Sequence, residues 1–169
     1  MPDLRALIAQ LGRPPYRDGS STKPGWLYAP MSDAFDVPAD IPVHKPEAVR
    51  DDYRAVYAAG YPWAEDVVLD LGASTGYYAS LPCAEYHGID ADPAAVAVAR
   101  ALALPVECAP ITELNVRTLC GLYRPTTILL LNVLMWLWKC GQDRPVLDAI
   151  RDSGARCFVQ WAGQESGGL

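Results

Sequence analysis

The sequence lacks any apolar run of about 18 residues, the length that a membrane-spanning helix needs. Its strongest run, from Ile128 to Trp138, is interrupted by Asn132 and stops at Lys139. The opening stretch MPDLRALIAQLGRPP has neither the long apolar centre nor the small-residue cleavage site of a secretory leader. A cytoplasmic protein with no membrane partner is therefore expected. Lysine is scarce, 3 residues against 11 arginines, and no basic cluster offsets a net charge of −6. Such a surface repels phosphate backbones, which speaks against long nucleic acid as a partner. The five cysteines, Cys83, Cys108, Cys120, Cys140 and Cys157, never fall in a CxxC pair. Zinc sites and disulfide frameworks need pairing or tight spacing, so reduced and mostly buried thiols are expected. No metal cluster and no internal repeat is visible in the sequence.

What is present is an apolar half, 51% of the chain, enough for a core of ordinary size. Residues 1–45 are rich in proline, glycine, serine and aspartate and offer turn chemistry with little periodicity. Within them Leu4, Leu7, Ile8 and Leu11 stand at helical spacing, which predicts a short amphipathic helix. Trp26, Leu27 and Tyr28 are expected to anchor the segment. From Pro46 the pattern changes. A helix is predicted over 46–60, with Val49, Tyr53, Val56 and Tyr57 on one face and Gly60 as its stop. Strands are predicted at 67–71, 86–89, 106–108, 126–131 and 157–161. Helices are predicted between them at 75–81, 93–104, 112–122 and 143–153, the last closed by Gly154. The tail AGQESGGL reads as flexible. Strands alternating with helices imply a parallel sheet, and continuous apolar strands imply burial on both faces. The expected fold class is α/β: a doubly wound, mostly parallel sheet of about five strands behind an irregular N-terminal extension.

The stretch VVLDLGASTGYY, 67–78, ends an apolar strand in an acid and follows it with small residues. Parallel sheets bind ligands at the carboxyl ends of their strands. Gly72 and Gly76 stand there, where glycine permits positive φ and close approach of a ligand to the main chain. A second acid, Asp90, closes the next strand 20 residues after Asp70, and an acid at that place accepts hydrogen bonds from ribose hydroxyls. The pair points to an adenosine-containing cofactor. The spacing is G-x-x-x-G, not the G-x-G-x-x-G of dinucleotide folds. An anionic Asp70 disfavours a pyrophosphate and favours a cation or an amino group. S-adenosylmethionine carries an ammonium and a sulfonium.

At these residues the chain resembles the class I S-adenosylmethionine-dependent methyltransferases. VVLDLGASTGYYASL is similar to the first motif of that family and EYHGIDADPAAVAVAR to its second. TILLLNVLMWL resembles the fourth strand and the turn after it. The resemblance covers roughly residues 46–161 and implies a Rossmann-like methyltransferase fold. It implies that Asp70, Gly72, Ala73, Ser74, Gly76 and Tyr77 line the methionine and ribose part of S-adenosyl-L-methionine. Asp90 would hold the ribose hydroxyls and Ala91 would lie against the adenine. Ser74 stands where the family usually has a middle glycine. The third-strand acid of the family is absent, and Cys108-Ala109-Pro110-Ile111 occupies its place. The family's last two strands are also missing. Truncation, a minimal version, or a partner covering an edge left by Val159 and Trp161, such as a second copy in a homodimer, would each account for that.

By the same resemblance, residues 1–45 are expected as a lid over a cofactor-binding domain at 46–169. His44 would then stand near the reaction as a general base with a pKa suited to neutral pH; a solvated loop histidine is the plainer alternative. Asn132, ending the fourth strand, is expected to touch substrate or cofactor. His87 and Tyr78 read as structural. Trp136 and Trp138 read as core or lid aromatics, one of them able to stack on a planar substrate, and Lys23 in STKPGW as a substrate contact. The expected activity is metal-independent methyl transfer to a small molecule or modified nucleoside, with tRNA kept open as an acceptor. The alternatives are a non-catalytic partner subunit and an enzyme using the same cofactor for other chemistry. A dinucleotide oxidoreductase is the more distant one.

Overall fold

The structure, a computed structural model, describes residues 3–11, 27–28, 43–44, 61–131 and 133–160. The predicted helix over 46–60, Lys23, Trp26, Asn132, Trp161 and the tail lie outside the described residues. In chain order the elements are α1 (Leu4–Ile8), β1 (Leu27–Tyr28), β2 (Val43–His44), a 3-10 turn at Trp63–Glu65, β3 (Val67–Leu71), a second 3-10 turn at Tyr77–Ser80, β4 (Glu85–Asp90), α2 (Pro93–Ala101), β5 (Val106–Cys108), α3 (Glu113–Tyr123), β6 (Thr127–Leu131), α4 (Leu134–Lys139), α5 (Asp143–Ser153) and β7 (Arg156–Gln160). β1 and β2 form a parallel pair of their own, so His44 sits on a strand opposite Tyr28 and not in a loop. The main sheet runs β5-β4-β3-β6-β7, and all of its pairs are parallel.

The apolar strands explain the layering. Successive side chains on a strand point to opposite faces. Val68, Tyr86, Val106 and Leu129 pack on one face with α2 residues Val96 and Ala99. Leu69, Leu71, Ile89, Ile128 and Leu130 pack on the other with Val116 of α3 and Val146, Ala149 and Ile150 of α5. Helices on both faces make the sheet doubly wound, as the continuous apolar strands require. α1 adds Ile8 and, just beyond its end, Leu11 against Ala95 and Val98 of α2.

Local signals set the element ends. Asp92 caps α2 by accepting from the Ala94 N–H at 2.8 Å, with Pro93 in the first turn. α2 stops at Ala101, three residues before the predicted end, because Ala103 takes a positive φ of 58°. α5 spans its predicted residues and ends at Gly154. The predicted helix over 75–81 is only the 3-10 turn Tyr77–Ser80, since Gly76, at φ 86°, leaves the helical path immediately before it. α4 was not predicted: it lies in the run read as strand and turn, where its apolar residues mask the helical period. The thiols are free but not buried as expected: Cys108, Cys140 and Cys157 are exposed. Cys108 and Cys157 stand on the two edge strands, and Cys140 follows α4 as its cap.

At the amino edge of the sheet Asp66 ties three strands. It accepts from Thr126 and Thr127 hydroxyls and from Arg156 Nη2 at 2.8 Å. Burial alone would push its pKa up, but these bonds and the Arg156 charge hold it below the usual range.

Candidate functional site

The chain order reverses between β3 and β6, and open α/β sheets bind ligands outside the carboxyl ends of the strands at such a switch point. The turn after β3 lies there. β3 and β4 pair in register, Val68 with Tyr86 and Asp70 with Gly88. Alternation therefore puts Val68, Asp70, Tyr86, Gly88 and Asp90 on the α2 face of the sheet.

Asp70 is only 2% exposed. Its Oδ2 accepts a hydrogen bond of 2.6 Å from the Tyr86 hydroxyl. Burial pushes this carboxyl up to about 7; the Tyr86 bond works against that shift and the Asp90 charge adds to it. Asp90 accepts from the Ser74 N–H at 2.7 Å on Oδ2 and from the Asp92 N–H at 2.8 Å on Oδ1. Burial raises its pKa as well, opposed by these backbone bonds. A carboxylate offers about four acceptor positions, so Asp90 clamps the turn and retains capacity for hydroxyl donors. Replacing it by alanine is expected to weaken an adenosine ligand by about 1–3 kcal/mol, the cost of leaving polar partners unpaired. Calorimetry on the folded variant checks this, and unchanged affinity would remove Asp90 from the site.

The turn spends its donors internally. The Gly72 and Ala73 N–H groups both donate to the Ile89 carbonyl at 2.9 Å, and the Gly76 N–H donates to Ala73 at 2.8 Å. With the Ser74 N–H on Asp90, four N–H groups of the turn are committed. A phosphate cradle needs such groups aimed at the ligand, with a helix N-terminus behind them. Here the helix is one 3-10 turn of 4 residues.

Gly72 and Gly76 both take φ 86°. The close approach expected at them is made by the protein itself. A Cβ at Gly72 would run into Val133 Cγ2, from the loop after β6, and one at Gly76 would stand 3.0 Å from Leu104 Cδ1. Sequence reasoning missed Tyr86 and Gly88. A Cβ at Gly88 would lie 2.8 Å from Ala73 Cβ and 3.1 Å from the Tyr86 hydroxyl oxygen. Glycine here lets the turn settle on β4 and lets the Tyr86 hydroxyl reach Asp70 on the neighbouring strand. The available signal was the alternation Tyr86-x-Gly88-x-Asp90, with Gly88 opposite Asp70.

The other candidates separate. Ala73 is buried, Ser74 and Tyr77 are half-buried, and Ala91 is exposed beside Asp90. Tyr77 meets Tyr78 edge to face at 5.1 Å and packs against the Ile8 and Leu11 cluster. Tyr78 belongs to the core, as expected. His87 stacks on Tyr123 at 3.7 Å and meets Glu85 at 3.3 Å, a structural role on the α3 face. Trp136 is half-buried with Lys139 Nζ 4.5 Å from its ring centroid, and Trp138 is exposed; neither is core. Where the family's third acid would stand, the Ala109 N–H donates to the Asp90 carbonyl at 3.0 Å and Asn115 Nδ2 to the Pro110 carbonyl at 2.9 Å. Of His44 only the backbone position on β2 is described, and Asn132 lies outside the described residues.

No protein-family model and no curated protein matches the chain. Among solved structures it is similar to WbdD. The high-resolution crystal structure of WbdD aligns with 98% of this chain at a TM-score of 0.58 and 20% identity. Monomeric WbdD aligns with 75% at 0.52, and WbdD co-crystallised with the kinase inhibitor LY294002 with 75% at 0.51, both at 20% identity. The chain covers 37%, 34% and 32% of those structures respectively, about a third of their length. At this identity the likeness is one of fold, and it agrees with the Rossmann-like α/β sheet.

Proposed function

We propose that this chain binds S-adenosylmethionine at the carboxyl ends of β3 and β4 and transfers its methyl group to a small-molecule acceptor. The observation that carries the reading is the pairing of a donor-spent turn with two carboxyls, Asp70 buried and Asp90 half-buried. The committed N–H groups at 72, 73, 74 and 76 leave little for a pyrophosphate, while Asp70 and Asp90 concentrate acidic character under the same turn. That combination suits a ligand with a ribose and a cationic end. When bound, the cofactor supplies a methyl group on a sulfonium that is already a good leaving group, so the protein's task is positioning. In this reading Asp90 accepts from the ribose hydroxyls and holds the turn through Ser74. Asp70 supplies negative potential from below without direct contact. The net charge of −6 favours a small acceptor over long nucleic acid.

A second reading, a methyltransferase-like partner subunit without turnover, draws on Val133, whose side chain covers Gly72. Calorimetry with S-adenosylmethionine, S-adenosylhomocysteine and NADH separates the readings. Micromolar affinity for the first two and none for NADH is expected. Formation of S-adenosylhomocysteine on adding an acceptor then marks methyl transfer. Absence of binding to both sulfur ligands in the folded chain supports the partner subunit, and preferential NADH binding overturns both readings.

A further inference from the structure

We propose that Tyr86 is a positioning residue of this crevice: its hydroxyl, carried across Gly88, holds the Asp70 carboxyl under the turn so that binding of a cationic ligand there expels one proton. The inference rests on the reading of the crevice as a site for such a ligand.

Asp70 and Asp90 stand on adjacent strands, on one face; Asp70 is buried and Asp90 half-buried, and desolvation raises the pKa of both. Two carboxylates so placed resist being ionised together. Among the described residues no cation offsets them. The described groups acting on Asp70 are Tyr86 and Asp90 from β4. β6 opposes it with Leu129, and the α2 side chains on this face are Val96 and Ala99. Asp92 acts on Asp90. The unliganded pair therefore keeps a proton, and a positive charge brought above the turn removes the reason to keep it. The proton leaves Asp70 for solvent, and no bond other than O–H is broken.

Tyr86 gives this exchange its geometry. Its hydroxyl donates to Oδ2, so Oδ1 is left to carry the proton. A donor on Oδ2 also favours the ionised form, which keeps Asp70 titratable near neutral pH despite its burial. The ring reaches this position only because Gly88 has no side chain, with 3.1 Å between the hydroxyl oxygen and where a Cβ would be.

Tyr86→Phe tests the inference, since it keeps the ring and removes the donor. In protein carrying 13C-labelled aspartate, the Asp70 carboxyl titration should move to higher pH by roughly one unit when the bond is lost. This arm needs no ligand. In calorimetry with S-adenosylmethionine across pH 6–9, in two buffers of different ionisation enthalpy, the wild type should release nearly one proton at pH 6, about half near pH 7 and almost none at pH 9. The variant's binding profile should shift by the same amount as its carboxyl titration. An Asp70 titration unmoved by the substitution overturns the inference, as does S-adenosylmethionine binding that is indifferent to pH. Binding of neither S-adenosylmethionine nor S-adenosylhomocysteine at any pH overturns the functional reading as well, so the two failures are distinguishable.

Discussion

Asp70→Asn is expected to make the protein more stable above neutral pH while weakening the cofactor. The sign follows from the raised pKa. Between about pH 4 and pH 7 the folded protein binds a proton at Asp70 that the unfolded chain does not, so stability falls as pH rises through that window. Burial is the leading cause of the elevation to about 7. A rise of about three units corresponds to an upper limit of roughly 4 kcal/mol lost above pH 7. Asparagine cannot ionise and still accepts from the Tyr86 hydroxyl, though its amide donors need partners in a buried place. A gain of about 2–3 kcal/mol at pH 8 and almost none at pH 4 is therefore expected, equivalent to about 4–10 °C in Tm at pH 8. Thermal melts at several pH values measure it, and an equal effect at both pH extremes would refute the assignment of the buried charge. The same substitution should weaken S-adenosylmethionine by roughly tenfold, about 1.4 kcal/mol. S-adenosylhomocysteine, which lacks the sulfonium charge, should lose less. A stabilised variant with impaired binding is the expected signature of an acid kept for function at a cost in stability.

Gly72→Ala carries the second large effect, in the opposite direction. An L side chain at φ 86° is strained by about 1–2 kcal/mol. The added methyl also meets Val133 Cγ2, and overpacking typically costs about 1–3 kcal/mol. A destabilisation of about 2–4 kcal/mol in urea unfolding is expected. Gly154 provides the control: it has φ 73° but nothing within 4 Å of an added Cβ. Gly154→Ala should thus cost only the strain. Adding Val133→Ala to Gly72→Ala should recover part of the excess. Equal losses at positions 72 and 154 would show that Val133 does not seal the turn.

The two substitutions probe the part of the protein that was least legible beforehand. Strand-end acids and turn glycines could be read directly, because residue type there is dictated by backbone conformation and by the chemistry of a parallel sheet's carboxyl edge. Asp70, Gly72, Gly76 and Asp90 all lie where their pattern predicted. Their partners could not be read the same way. Nothing local to Tyr86 says that its hydroxyl meets Asp70, since the two meet only through the β3–β4 register. Val133 is far from Gly72 in sequence and reaches it because β6 lies beside β3. The α4 helix was hidden for a related reason: in a continuous apolar run, composition is the same for strand and helix, and the packing of Leu137 beside Val146 decides.

The sequence by itself determined the α/β class, the five strands of the main sheet with α2, α3 and α5 between them, the free thiols and the two acids at successive strand ends. These follow from periodicity, capping and turn chemistry, which act over a few residues. Only the tertiary structure decided that the turn's N–H groups are spent on Ile89, Ala73 and Asp90, that Val133 covers Gly72, and that Asp70 is buried beneath Tyr86. Those features depend on strand register and on exclusion of water, which arise when distant segments pack together.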